Sequence, residues 1–172
     1  MDKANLIDEK DRKILVELDN NARQTDSEIA KKFGLSKQVA NYRIQKLIEK
    51  GIITNFYTIV NAGLLGLNSY YIFLQLERIN KEKEKELLKK LCYLDCVGWL
   101  VSGTGRWDVV LLVYADSIST FYKLLNQITN ICGNNLHESN FTTLISSEHV
   151  SYKFLKGADI NTLKQSEKQG VR

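Results

Sequence analysis

Gln38, Asn41, Tyr42, Gln45 and Lys46 fall at steps of three and four along the chain, which on a helix lines them up along one face. Three of the five, Gln38, Asn41 and Gln45, are carboxamides, and a carboxamide donates and accepts together, matching the N6 and N7 edge of adenine in a major groove. Around them sit Lys37, Arg43, Lys46 and Lys50, cations suited to phosphates, although Arg43 lies beside the apolar face, where the alternative is that it ties helices together. Between Lys31 and Lys50 six cations (Lys31, Lys32, Lys37, Arg43, Lys46, Lys50) face one anion, Glu49. That excess would raise affinity for a nucleic-acid backbone and make it salt-sensitive. The plainer reading is a polar helix face that is simply solvated, and the surrounding elements decide between the two.

Those elements are specified locally. Ile29, Ala30 and Phe33 give one short helix an apolar side. Gly34 can take the left-handed conformation that closes it, and Ser36 can cap the next. Thr25-Asp26-Ser27-Glu28 matches the T-x-x-E capping box at the start of that helix. Ala40, Ile44, Leu47 and Ile48 keep a 3.6-residue period opposite the polar face, which predicts that they pack inward. An earlier helix over Asp8 to Leu18, with Asp8 as its cap and Ile14, Leu15 and Leu18 on one side, supports the pair from behind. After Gly51 the run IITNFYTIV is β-branched and aromatic, predicting a strand that serves as a wing or as an arm pairing with another chain.

Beyond Gly63 and Gly66 the pattern changes. Ser69 to Leu76 reads as a strand, Lys81 to Leu94 as a helix, Val97 to Ser102 and Val109 to Ala115 as strands. A helix capped by Ser117 follows, and Leu136 to Tyr152 holds at least one last strand. The order βαββαβ is the ferredoxin-like one. Tyr70, Ile72, Leu74 and Leu76 alternate with Tyr71 and Phe73, so the first strand is apolar on both faces and self-association is expected. The fold class is therefore α+β. A helix-turn-helix domain, winged-helix-like, spans 1–53, a strand or linker 54–67, a ferredoxin-like domain 68–154 and a polar tail 155–172. The alternating charges Lys81 to Glu86 read as a solvated helix start.

Composition narrows the function. The 172 residues carry a net charge of only +4, so local distribution rather than overall basicity argues for nucleic acid. Three cysteines without a secretory segment predict a reduced, cytoplasmic setting, and no apolar run reaches the roughly 20 residues that cross a bilayer. Cys92, Cys96, Cys132, His137 and His149 fit no common zinc spacing. Neither a nucleophile–base pair nor a Gly-Lys phosphate loop is evident. No enzyme activity, metal or cofactor is expected.

The capped helix pair, Gly34-Leu35-Ser36, the RIQKL stretch at Arg43 to Leu47, the exit Gly51-Ile52-Ile53 and Gly105-Arg106-Trp107-Asp108 inside a βαββαβ domain occur in that order. Together they resemble the leucine-responsive/asparagine-synthase regulator (Lrp/AsnC) family over about residues 6 to 153. The resemblance implies a transcriptional regulator with an N-terminal DNA-binding domain and a C-terminal domain that forms dimers and higher assemblies, tetramers or octamers, and takes a small effector. It places the recognition helix over Ser36 to Lys46, hence Ser36, Lys37, Gln38, Asn41, Tyr42, Arg43, Gln45 and Lys46 at double-stranded DNA. It also places Gly105 and Asp108 in an effector loop. There Gly103 and Gly105 would admit a ligand, Trp107 would form a wall and Asp108 would take an ammonium group, with an amino acid as the ligand class. A plain hairpin turn, with Asp108 bonding the turn backbone, remains the alternative. Where the family often carries Thr-x-Thr in the last strand, this chain has Ser139-Asn140-Phe141-Thr142-Thr143. Decarboxylases of the haem pathway share the two-domain plan but carry a histidine near the central strands, and Val97 to Val113 has none. The competing function is a metabolite-sensing oligomeric protein without specific DNA binding.

Overall fold

Asp8 starts the first helix, α1 (Glu9–Asn20), by a reciprocal cap: its carboxylate accepts from the Asp11 N–H at 2.8 Å, and the Asp11 carboxylate accepts from the Asp8 N–H at 3.2 Å. The structure, a computed structural model, describes residues 6–77, 79–145, 152 and 155. Helix α2 (Asp26–Phe33) opens with the capping box read from the sequence. Thr25 Oγ1 accepts from the Glu28 N–H, and Glu28 Oε2 accepts from the Thr25 N–H at 2.7 Å. Gly34 then adopts φ 62°, ψ 38° and Leu35 N–H returns to the Ala30 carbonyl at 2.9 Å, which turns the chain sharply. Ser36 Oγ caps α3 (Lys37–Glu49) through the Val39 N–H. At its far end Ile52 and Ile53 both donate to the Leu47 carbonyl.

These three helices close over Ile14, Leu18, Ile29, Ala30, Ala40, Ile44 and Leu47, with Ile7, Leu15, Phe33, Leu35, Ile52 and Ile53 at the margin. Ile48 departs from the expected inward set. It is 39% exposed, because at one residue past Leu47 it has rotated about 100° off the buried stripe. The predicted strand after Gly51 does not form either: residues 54–60 make no ladder, and Phe56, Tyr57, Ile59 and Val60 stand exposed. β-Propensity supplies an extended chain, but a strand needs a neighbour whose N–H and C=O groups it can pair.

The second unit begins with a 3₁₀ turn, Ala62–Leu65, capped by Asn61. Its sheet contains β1 (Asn68–Leu76), β2 (Val97–Ser102), β3 (Val109–Ala115) and β4 (Leu136–Thr143) in the order β2-β3-β1-β4, every pairing antiparallel. Helices α4 (Lys81–Cys92) and α5 (Ile118–Cys132) complete the βαββαβ order. On the helix-covered face Tyr70, Ile72 and Leu74 of β1 meet Val109, Leu111 and Val113 of β3, with Leu87, Leu91, Phe121 and Ile128 from the helices. Phe121 stacks on Tyr70 at a centroid distance of 4.0 Å. The opposite face carries Tyr71 and Phe73 paired with Leu112 and Val110, beside Trp99 and Val101 of β2. Trp99 is 59% exposed there, so the single chain leaves an apolar sheet face uncovered.

The compact units divide at Thr58/Ile59, the second running Ile59–Ser147, and Tyr152 and Leu155 group with the first. There the Tyr152 N–H donates to the Asp19 carboxylate at 2.9 Å. Leu155 apart, the polar tail read over 155–172 lies outside the described residues, as does His149.

Candidate nucleic-acid interface

Helix α3 presents Lys37, Gln38, Asn41, Tyr42, Gln45 and Lys46 to solvent, while Ala40, Ile44 and Leu47 hold it to the core. One polar stripe is thus brought together at the exposed side of a helix whose angle is fixed from behind. Ser36 is exposed, and its Oγ is occupied as the cap, accepting from the Val39 N–H at 3.2 Å. Two contacts already involve the stripe, one within it and one to α2. Lys46 Nζ donates to the Tyr42 hydroxyl at 3.2 Å and lies 5.3 Å from its ring centroid, and Asn41 Nδ2 donates to Asp26 Oδ2 at 2.8 Å.

Arg43 does not join them. Its Nη1 donates to Asp8 Oδ2 at 2.7 Å and to Asp11 Oδ1 at 2.6 Å, so the guanidinium grips both members of the α1 cap. Partial burial pushes the Asp8 carboxyl up, but the Asp11 backbone N–H and the Arg43 guanidinium outweigh it and hold the group below its ordinary value. The two carboxylates raise Arg43 in turn. Lys32 is likewise taken up by Glu17 and Gln24 of its own unit, and Lys50 Nζ donates to the Leu6 carbonyl at 2.8 Å. Of the six cations between 31 and 50, then, two are neutralised by carboxylates of the fold, and Lys31, Lys37, Lys46 and Lys50 stay outside these ion pairs. A cleft of about 480 Å³ runs along the stripe's edge, lined by Leu6, Val39, Tyr42, Lys46 and Lys50 among others. Val39, 42% exposed, is a surface residue of α3 that the polar pattern had not marked. Its apolar type at a position adjacent to Gln38 gave no signal.

In the second unit the loop from β2 to β3 holds the predicted effector residues. Gly105 has φ 144°, a backbone that side-chain-bearing residues rarely adopt, and a Cβ on Gly103 or Gly105 would meet nothing within 4 Å. Asp108 is committed to the fold: its N–H donates to the Leu74 carbonyl at 2.9 Å, its carbonyl accepts from Gly103, and its Oδ2 accepts from the Leu76 N–H at 2.7 Å. Trp107 is half-buried against Phe73 with Arg106 over its ring, and Arg106 reaches Glu138 at 3.3 Å. Gly103, Thr104, Gly105 and Arg106 are all exposed, so the loop offers open backbone rather than an enclosed cavity.

Burial raises the Cys132 thiol to about 11 and also raises Cys96, making both poor thiolates at neutral pH. Among the described residues no group of three or more His, Cys, Asp or Glu side chains comes together to hold a metal. None of the described helices is long and apolar enough to cross a membrane.

A three-helix unit whose capped third helix exposes a polar stripe, followed by a βαββαβ unit, defines a two-domain helix-turn-helix protein. Residues 7–54 match the winged helix-turn-helix DNA-binding domain family. Over 120 residues the chain is 37% identical to the HTH-type transcriptional regulator Ptr1 of Methanocaldococcus jannaschii, covering 70% of this chain and 80% of that one. It is 30% identical over 136 residues to the regulator LrpA of Pyrococcus horikoshii, covering 74% and 94%. Among solved structures it superposes on E. coli AsnC with a TM-score of 0.66 and 28% identity, covering 84% and 95%. A transcriptional regulator from Neisseria meningitidis, solved as an L-Met complex, shares the fold at a TM-score of 0.72 and 18% identity, covering 91% and 99%. The chain belongs to the Lrp/AsnC family of transcriptional regulators. Its relatives are named as regulators rather than enzymes.

Proposed function

We propose that the protein reads a specific duplex sequence as a homodimer or higher homo-oligomer and changes its DNA occupancy in response to an amino acid or a similar small molecule. The observation that carries the reading is the exposed stripe on α3. Gln38, Asn41 and Gln45 are the base readers, Lys37 and Lys46 the phosphate contacts, and Tyr42 a surface that steadies Lys46. Arg43, tied to Asp8 and Asp11, serves the angle of the helix instead.

Self-association is supported by the apolar sheet face around Trp99 and by the unpaired stretch Phe56 to Val60, which can add as a strand to the same stretch of a second copy. Two recognition helices related by a two-fold axis would then fall roughly 34–36 Å, or a multiple of that, apart along one side of the duplex. The effector reading rests on Gly103, Gly105, Trp107 and Asp108 and on the L-Met complex of the Neisseria neighbour. Because the loop is open in one chain, a second copy would supply the remaining walls. Asp108 would offer the ligand its Oδ1, its Oδ2 being held by β1.

Affinity measured against salt for point variants tests the DNA reading. Lys46→Ala should weaken all duplexes alike and lower the salt slope by about one per subunit, whereas Gln45→Ala should flatten preference among sequences and leave the slope alone. Identical effects of the two changes would contradict the division between readers and phosphate contacts. A protein with no duplex binding at any salt would be the metabolite-sensing assembly instead.

A further inference from the structure

Asp26 stands in the first turn of α2 and Asn41 in the second turn of α3, and the two side chains are joined by a 2.8 Å hydrogen bond from Asn41 Nδ2 to Asp26 Oδ2. Asn41 is exposed and Asp26 half-buried. An ionised carboxylate only accepts, so the nitrogen end of the Asn41 amide has to face it. The flipped amide would set Oδ1 against a negative oxygen. The N–H used for this bond is best the one pointing away from Oδ1, since the other would bring Oδ1 back beside the carboxylate. Asp26 itself is steadied by its place at a helix N-terminus, where negative charge is favoured.

We propose that Asp26 is a positioning residue for sequence reading: it locks the Asn41 carboxamide in one of its two flips, so that Oδ1 and the remaining N–H form the outward edge. An edge with an acceptor beside a donor suits adenine, whose N6 amino group donates and whose N7 accepts. A freely rotating amide would offer the two flips about equally and would have to be ordered on binding, which costs affinity for the right base. Asp26 thus contributes to specificity without touching DNA. This inference rests on the DNA reading of α3, and its test separates the failure of one from the failure of the other.

Repeated selection from random duplex DNA, followed by sequencing of the bound pool, is carried out with the full-length wild type, Asp26→Ala, Asp26→Asn, Asn41→Ala and the Asp26→Ala/Asn41→Ala pair. The wild type should enrich a site in which Asn41→Ala relaxes one position per half-site, and that position should be adenine. Asp26→Ala should lower the preference at that position by at least about twofold, the factor lost when two flips are equally populated, and by less than full loss of the contact in Asn41→Ala, and leave other positions unchanged. Asp26→Asn presents a donor as well as an acceptor, no longer dictates the flip, and should lower the preference in the same direction as Asp26→Ala. The double variant should match Asn41→Ala alone, since a positioning residue has nothing left to position. An Asp26→Ala protein with full preference at that position, a uniform loss across all positions, or a guanine or thymine there would overturn the proposal while leaving the DNA reading intact. A wild type that enriches nothing would overturn both.

Discussion

The Arg43 guanidinium donates to Asp8 and Asp11 at once, so a charge that the sequence places among phosphate contacts is spent joining α3 to the cap of α1. Sequence spacing located Arg43 beside the apolar face of its helix. It carried no information that two acids some thirty residues earlier would reach it. Arg43→Met should lower the stability of the first unit by about 1 kcal/mol, a modest figure because the pair is partly exposed. The Asp8 carboxyl is held below its ordinary value in the folded chain. A depressed carboxyl contributes stability above its unfolded value and loses it as pH falls through the folded one. The difference between wild type and Arg43→Met in urea unfolding should therefore be constant above about pH 5 and shrink as the pH drops below about 4, the ordinary carboxylate range. A difference unchanged at pH 3 would show that the pair is not the cause.

Among the elements, those with their own start and stop signals were legible. The Thr25 to Glu28 box, the αL turn at Gly34 and the Ser117 cap appear where the sequence puts them, because each bond joins residues three or four apart. The strands Val97–Ser102 and Val109–Ala115 likewise match their apolar runs. What stayed hidden depends on partners distant in sequence. The run after Gly51 has a strand's composition and no ladder, and Asp108, readable as a ligand group or a turn residue, turns out to bond the end of β1. Gly98 is another such case. The β2–β3 register shifts between Val97 and Trp99, and a Cβ at Gly98 would lie 2.3 Å from Cε2 of Tyr114. Gly98→Ala should thus cost about 1–3 kcal/mol in the second unit through overpacking. Adding Tyr114→Ser should recover part of that loss in thermal or urea unfolding. A fully stable Gly98→Ala protein would mean that the Tyr114 ring moves aside freely.

For the molecule as a whole, two apolar features that the chain does not cover, the sheet face bearing Trp99 and the stretch from Phe56 to Val60, argue for assembly. The sequence showed the first through the double apolar parity of β1. Trp99 is 59% exposed in the single chain, so Trp99→Asp should leave the monomer folded while weakening self-association by about ten- to a hundredfold, as for a central aromatic anchor. Sedimentation equilibrium of the two proteins at matched concentration would show the shift, and equal masses would remove this face from the interface. Under the proposed function assembly and reading are linked, since a two-fold pair of recognition helices doubles the bases read by one. Repeated selection from random duplex DNA at two salt concentrations tests whether the protein reads a specific sequence as a two-fold assembly. The expected result is an enriched, roughly palindromic site with arms about one helical turn or a multiple apart, bound more weakly as salt rises. A pool that shows no enrichment even at low salt would contradict that reading.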